Sequence, residues 1–364
     1  MSWRALQLVL AGGGTGGHVI PAIAVAVEIA RRGGRARFVG TAARLEARLV
    51  PEAGFEIDFI DVRPLRGRGA LGALRGAASV PGAVLRSVSL LKGFGPDAVL
   101  GVGGYVAGPV ILAAKLLRKP TAILEQNATV GFSNRAVSRL VDRAFVTYED
   151  TAGAFPRGRA ELTGNPVKRA ILEARARPRT AGRGRPRLLV MGGSQGALTI
   201  DTRLPEAVVA AGLAGAVEVL HQCGVGRREA VVAAYAAGGI DARVVEFIDD
   251  TASAYSDADL VVARSGATTV SELTAMGLPA ILIPYPHHAD RQQEKNAEPM
   301  RRARAAIVLD ERATGPGELA QAIRSLLCDG SALAAAAAAS AGLGRPDAAR
   351  RIVDGIERLV EGRR

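Results

Sequence analysis

Residues 6–30 read LQLVLAGGGTGGHVIPAIAVAVEIA, with five glycines packed between positions 12 and 17. An apolar run, a glycine turn and an apolar helical pattern describe a parallel strand that delivers the chain into a helix N-terminus. There, backbone amides and the helix dipole favour an anion. Outward from this stretch the same grammar recurs. Short apolar runs lie at LQLVLA, ARFVG, EIDFID, DAVLGV, TAILEQ and RAFVTY. The pattern restarts at PRLLVMGGSQGALTI and continues through VEVLHQC, RVVEFI, DLVVARSG, AILIPYP and AAIVLD. Such alternation predicts an α/β protein with helix-covered parallel sheets. Between the halves, ILEARARPRTAGRGRPR is charged, contains Pro and Gly, lacks apolar periodicity and reads as an exposed connection. The expected architecture is two Rossmann-like parallel-sheet domains facing each other across a cleft. The N-terminal one covers 1–163, a linker 164–185 and the C-terminal one 186–345. The amphipathic segment DAARRIVDGIERLVEG predicts a last helix, about 346–364, that packs back on the N-terminal domain.

Bulk properties narrow the function classes. A chain of 364 residues with 48% apolar content can bury two cores. No apolar stretch reaches the roughly 18 uncharged residues of a bilayer span, and the N-terminal residues lack a signal-peptide cleavage pattern. Two cysteines, Cys223 and Cys328, make no disulfide framework or metal-ligand spacing. The net charge of +12 is unevenly spread. Residues 62–96 hold no acid but six basic residues (Arg63, Arg66, Arg68, Arg75, Arg86 and Lys92) among Leu, Val and Phe. That blend suits an anionic membrane surface. Nucleic acid is not expected, because Phe94 alone offers a ring for stacking there.

Four turns rich in glycine or serine follow strands: GGGTGGH (12–18), GVGGYVAGP (101–109), GGSQGA (192–197) and RSGATTVSE (264–272). Gly12, Gly14 and Gly17 satisfy the dinucleotide spacing G-x-G-x-x-G. A dinucleotide site also needs a ribose-binding acid after the second strand. Here that strand runs into Thr41-Ala42-Ala43-Arg44, and the first carboxylate, Glu46, stands at the wrong position for a ribose clamp. Several turns on facing sheet edges instead suit a phosphorylated donor and a phosphorylated acceptor.

The ordered set GGTGGH (13–18), GVGGYVAGP, EQNATVGFSN (125–134), GNPVK (164–168), GGSQGA, EFIDD (246–250), RSGATTVSELTAMGLP (264–279) and QEKNA (293–297) resembles the family-28 glycosyltransferases of peptidoglycan synthesis. The likeness runs from about residue 6 to residue 310. It implies the GT-B fold, with inverting transfer of N-acetylglucosamine from UDP-N-acetylglucosamine. The implied acceptor is the C4 hydroxyl of undecaprenyl-pyrophosphoryl-N-acetylmuramyl-pentapeptide. The work would be done at the cytoplasmic face of the membrane by a peripheral protein, within a wall-synthesis assembly. Neither cofactor nor metal is implied.

By that resemblance, and by their place at a strand end and helix start, Ser265, Gly266, Ala267, Thr268 and Thr269 would meet the UDP diphosphate, with Val270 and Ser271 following. Glu272 would accept the ribose hydroxyls; without the resemblance it reads as an acid stabilising a helix start. Ile248 would lie by the uracil, and Ser194 would give its hydroxyl and amide to phosphate or cap a helix. Gln292 and Gln293, after the loop PYPHHADR, would contact the sugar. Asn127, Thr15, Gly16 and Gly17 complete the donor set. Lys168 stands where the family often has arginine, so it keeps the charge and loses the bidentate fork. Gly14, Gly103, Gly104 and Tyr105 would cradle the acceptor diphosphate. His18, at a helix start, is the candidate base, and Glu125 the competing one. Two features are set aside. Asp257-Ala258-Asp259 has a metal-binding spacing but precedes a strand, at the wrong end of the sheet. His287-His288 has no third ligand nearby. The alternatives are a GT-B transferase with another acceptor, a UDP-N-acetylglucosamine 2-epimerase, or a non-catalytic scaffold.

Overall fold

The computed structural model describes residues 5–62, 69–176, 184–193, 196–287 and 290–363, with side chains outside the description also at 69–77. The chain divides into Met1–Lys168 with Pro346–Arg364, and Arg169–Arg345.

In the first unit the strands are β1 (Gln7–Gly12), β2 (Arg35–Gly40), β3 (Glu56–Phe59), β4 (Ala98–Gly103), β5 (Thr121–Glu125), β6 (Arg143–Val146) and β7 (Ala160–Leu162). They form one sheet in the order β3-β2-β1-β4-β5-β6-β7. All its pairings are parallel. Both faces are covered, so these strands read as continuous apolar runs. The period of two still sorts their side chains. Val9, Ala11, Val99 and Ile123 pack on one face with Val110 and Ile111 of helix Ala107–Leu116. Leu8, Leu10, Leu100 and Leu124 pack on the other with Val25 and Ile29 of helix Gly16–Arg31. β7, only three residues long at the sheet edge, is not among the strands read from the sequence. Its brevity leaves no pattern to detect.

The second face is completed by the end of the chain. Helix Ala348–Glu361 places Ile352, Val353, Ile356 and Val360 in the cluster of Leu8 and Leu10. Arg32 fixes its approach through Asp354 at 2.7 Å and Glu357 at 2.8 Å.

The second unit holds β8 (Arg187–Met191), β9 (Glu218–Gln222), β10 (Ala242–Val245), β11 (Leu260–Ala263), β12 (Ala280–Leu282) and β13 (Ala306–Val308), in the order β10-β9-β8-β11-β12-β13. Part of the stretch expected as linker is a helix, Arg169–Arg175. Its Ile171 and Ala174 are buried with Tyr255, Leu273 and Leu278 of this unit. Two buried positions three apart are too few to register as periodicity. In both sheets the winding order reverses at one place, between β1 and β4 and between β8 and β11. Ligands of doubly wound folds sit beyond the carboxyl ends of such strands.

Gly355 tests the closure of the first unit. A Cβ there would stand 2.5 Å from Cε1 of the buried Phe145. Gly355→Ala gains up to about 1 kcal/mol of helix propensity but overpacks a filled core at a cost of about 1–3 kcal/mol. We expect a net loss of stability in urea unfolding monitored by circular dichroism.

Candidate active site

In the first unit, the turns after β1 and β4 lie side by side, as Gly12 pairs with Gly103 across a register shift. Gly14, Gly103 and Gly104 have φ of +98°, +101° and +77°, in the left-handed region that favours glycine. Close approach is the second reason for glycine here. A Cβ on Gly103 would meet the imidazole of His18 at 2.7 Å, and one on Gly104 would meet the Gly13 carbonyl at 2.5 Å. The two turns therefore interlock backbone to backbone, with His18 against the second. Tyr105 packs half-buried beside the core.

Helix Gly16–Arg31 starts with no side-chain cap. Its first turn leaves backbone amides outside the helical ladder, including those of Gly16 and Gly17. Thr15, the residue at its N-cap, turns its hydroxyl to His18 Nδ1 at 3.3 Å. Burial pushes the His18 imidazole below its ordinary value; a backbone hydrogen bond with Gly13 and the charge of Glu46 oppose that shift. The Gly14 amide is already committed, donating to Glu46 Oε2 at 2.8 Å. In this conformation Gly14 thus supplies backbone shape to the turn and no free donor for a diphosphate.

Glu125 ends β5 and is 1% exposed. Its carboxylate accepts from the Gly131 amide at 2.9 Å, Asn134 Nδ2 at 2.9 Å, the Asn127 amide at 3.1 Å and Asn127 Nδ2 at 3.4 Å. Burial raises its pKa against these hydrogen bonds. Glu125 and Asn127 thereby act together, tying loop 126–134 to the strand end. Lys168 is exposed.

In the second unit, helix Ala267–Met276 begins directly after β11 with Gly266 at the N-cap and no capping side chain. Its first intrahelical bond is Val270 N to the Gly266 carbonyl, which leaves the amides of Ala267, Thr268 and Thr269 outside the ladder. The Thr268 hydroxyl is shielded from solvent and has no hydrogen-bond partner among the described residues. Buried hydroxyls are seldom left so. Other members of the expected set serve the protein itself. Val270 is a core residue with its amide bonded, the Ser271 hydroxyl donates to the Ala267 carbonyl at 2.7 Å, and the fully buried Ser265 donates to the Gln293 carbonyl at 2.8 Å. Neither the Val270 side chain nor its amide is free for a ligand. Burial of Val270 follows from the helical face that must cover β11.

Gln292 and Gln293 open helix Gln292–Arg302. Gln293 Oε1 accepts from the Tyr285 amide at 2.9 Å, and Asn296 Nδ2 donates to the Ser265 carbonyl at 3.3 Å. Ile248 packs half-buried against the core, next to Phe247, which is 65% exposed. Ser194 and His288 lie outside the described residues. Asp259 accepts from the Arg187 amide at 2.7 Å and Asp257 pairs with Arg187 Nη1 at 3.3 Å. Both anchor the amino end of the sheet.

Two contributors carry no signal in the sequence. Tyr255, fully buried, donates its hydroxyl to Glu272 Oε2 at 2.9 Å, so a ring from helix Thr251–Asp257 orients that carboxylate. Glu46, only 1% exposed, accepts from the Thr41 amide and hydroxyl at 3.1 Å and 2.7 Å as well as from Gly14. A buried Asp201–His221–Tyr235 network, joined by Arg227, lies near Gly196 of the GGSQGA turn. A Cβ on Gly196 of that turn would meet the Cys223 carbonyl at 2.0 Å.

The lowered pKa of His18 carries a sign. The unfolded chain binds a proton near pH 6.5 that the folded chain resists. This contribution to stability is therefore complete above pH 6.5 and is lost as pH falls toward the folded-state value. We expect urea unfolding of the wild type to weaken from pH 7 to pH 5.5 more steeply than that of His18→Asn.

Comparison with known proteins places this geometry in a family. Residues 8–146 match the glycosyltransferase family 28 N-terminal domain, and residues 187–352 match the family 28 C-terminal domain. A UDP-N-acetylglucosamine–N-acetylmuramyl-(pentapeptide) pyrophosphoryl-undecaprenol N-acetylglucosamine transferase of Anaeromyxobacter sp. (strain Fw109-5) is 45% identical over 98% of this chain and 94% of its own length. The protein of the same name from Geobacter sulfurreducens is 44% identical over 96% of this chain and 97% of its own. The crystal structure of Acinetobacter baumannii MurG superposes with a TM-score of 0.80 at 31% identity, over 97% of this chain and 99% of that one. A UDP-GlcNAc 2-epimerase from Neisseria meningitidis shares the fold alone, at 13% identity, with a TM-score of 0.70 over 97% of this chain and 99% of its own. With both of its sheets matched and relatives aligned along nearly its whole length, this chain is an enzyme belonging to glycosyltransferase family 28.

Proposed function

We infer that this protein transfers N-acetylglucosamine from UDP-N-acetylglucosamine to the C4 hydroxyl of undecaprenyl-pyrophosphoryl-N-acetylmuramyl-pentapeptide, inverting the anomeric centre. The observation that carries the reading is near-full-length identity of 45% to a relative that bears that activity in its name. The site chemistry supports it. UDP departure concentrates charge on the diphosphate, and the amides of Ala267–Thr269 with the Thr268 hydroxyl are donors already in place at a helix start. Glu272, held by Tyr255, would accept the ribose hydroxyls. Ile248 and Phe247 would border the uracil, and Gln292, Gln293, Ser194, Asn127 and Lys168 would complete the donor contacts. Thr15, Gly16 and Gly17 would add to the donor contacts, and the acceptor diphosphate would meet the Gly103–Gly104–Tyr105 turn beside Gly14.

His18 would act as base. Burial keeps its imidazole neutral and able to take the proton as the acceptor oxygen attacks the anomeric carbon and UDP leaves. Among the described residues, no group of three or more His, Cys, Asp or Glu is arranged to hold a metal.

No single described helix is long and apolar enough to cross a membrane. Helix Gly69–Phe94 instead presents Leu85, which is 72% exposed, beside exposed Arg86 and Lys92. With the acid-free run 62–96 this supports docking at an anionic cytoplasmic membrane surface, where the polyprenyl acceptor is anchored. Such a location would bring it beside other wall-synthesis proteins.

The direct test is transfer of labelled N-acetylglucosamine to a soluble lipid-linked muramyl-pentapeptide analogue in excess chelator. We expect product from the wild type. Glu272→Ala should raise the donor KM roughly 10–100-fold and Tyr255→Phe about 3–10-fold, as hydrogen bonds to a charged group are lost. His18→Ala should lower kcat by about 10²–10⁴-fold. Epimerisation or hydrolysis of the UDP sugar without transfer would overturn the acceptor assignment.

A further inference from the structure

Glu46 is a carboxylate that nothing in the transfer chemistry requires, yet it is sealed at 1% exposure. Burying a charge is costly unless it is fully bonded. Here Oε2 accepts from the Gly14 amide at 2.8 Å, while Oε1 accepts from the Thr41 amide at 3.1 Å and the Thr41 hydroxyl at 2.7 Å. Among the described residues no Arg or Lys forms an ion pair with it, so dipoles hold the charge. Two glycines are cleared for it. A Cβ on Gly13 would stand 2.2 Å from its carboxylate carbon, and one on Gly40 would stand 2.7 Å from its Cγ. Glycine in the first turn and at the end of β2 thus has a common cause.

The amide of a glycine turn after the first strand of such a fold ordinarily faces a ligand phosphate. In this chain the protein's own anion takes that seat at Gly14. We propose that Glu46 is a positioning residue for the transfer: it clamps the turn Gly13–Gly14 to the end of β2 and thereby fixes where His18 is presented. The proposal rests on His18 acting as base, as inferred above. Among the described residues, the groups around the imidazole are few. Thr15 contributes a hydroxyl at 3.3 Å and Gly13 a backbone hydrogen bond, and Gly103, on the β4 side, brings no side chain. Among the described residues, Glu46 brings a negative charge whose field reaches the ring.

The test is Glu46→Gln, whose amide would oppose the Gly14 N–H. Two readouts are taken on the full chain: the titration midpoint of His18 by imidazole NMR, and the pH profile of kcat/KM for the acceptor analogue. With four histidines in the chain, His18→Ala assigns the resonance. Loss of a nearby negative charge should lower the His18 midpoint by roughly half to one pH unit. The acid limb of the profile should move down with it, while the donor KM, set chiefly by Glu272 and the helix Ala267–Met276 of the other unit, stays within about twofold. A folded Glu46→Gln protein with unchanged midpoint and acceptor kinetics overturns the proposal. A midpoint that moves while the limb stays supports Glu46 as the residue setting His18 and refutes His18 as base. If Glu46→Gln does not fold, Thr41→Val removes one donor and keeps the charge. It should lower kcat/KM for the acceptor at least about threefold with the donor KM preserved, in keeping with a lost charged hydrogen bond. Unchanged acceptor kinetics in that variant would equally overturn the proposal.

Discussion

Everything functional in this chain hangs on a constraint of parallel sheets. Where the winding order reverses, successive helices leave to opposite faces, and the loops leading into them part at the carboxyl end of the sheet. Both units have such a place, β1 beside β4 and β8 beside β11. The parting exposes the start of helix Gly16–Arg31 in one and of helix Ala267–Met276 in the other, each without a capping side chain. An uncapped helix start is an unmet demand for hydrogen-bond acceptors. A diphosphate answers that demand, and a charged leaving group needs the same donors most at the moment it departs.

The two units use their glycines differently. In the first, close packing of two turns dominates: Gly103 lies against the imidazole of His18, Gly104 against the Gly13 carbonyl, and Gly13 against Glu46. In the second, the helix Ala267–Met276 is set by side chains from neighbouring helices. Tyr255 holds Glu272, and Ser265 is fastened on both its hydroxyl and its carbonyl to residues of helix Gln292–Arg302. Rigidity around a binding group keeps it in place ahead of the ligand's arrival, which is how preorganised sites gain their effect.

Legibility in the sequence depends on how far apart the partners lie along the chain. Strands such as LQLVLA and DLVVA announce themselves through local apolar runs, and glycine turns after them through composition; hence the α/β class and the turns at both reversal points can be read. The three-residue β7 and the helix Arg169–Arg175 carry too little pattern. The helical face that hides Val270 is missed as well, because resemblance assigns a whole motif while burial sorts it residue by residue. Long-range partners leave no local mark. In the sequence Glu46 reads only as an acid in the wrong place for ribose, since its bond to Gly14 spans 32 residues. Tyr255 looks like any aromatic in a helix, although its hydroxyl decides which way Glu272 points.

Return of the last helix to the first unit bears on how the molecule is made. Leu8, Leu10, Leu100 and Leu124 share their cluster with Ile352 and Ile356. When the ribosome has delivered Lys168, that face of the sheet lacks its final cover, and the whole of Arg169–Arg345 must emerge before the cover arrives. The first unit is thus begun first and finished last. Its nascent form carries an apolar face through the synthesis of the second unit, a period in which exposed core surface invites aggregation and chaperone attention. The second unit, one uninterrupted run of chain, has no such wait.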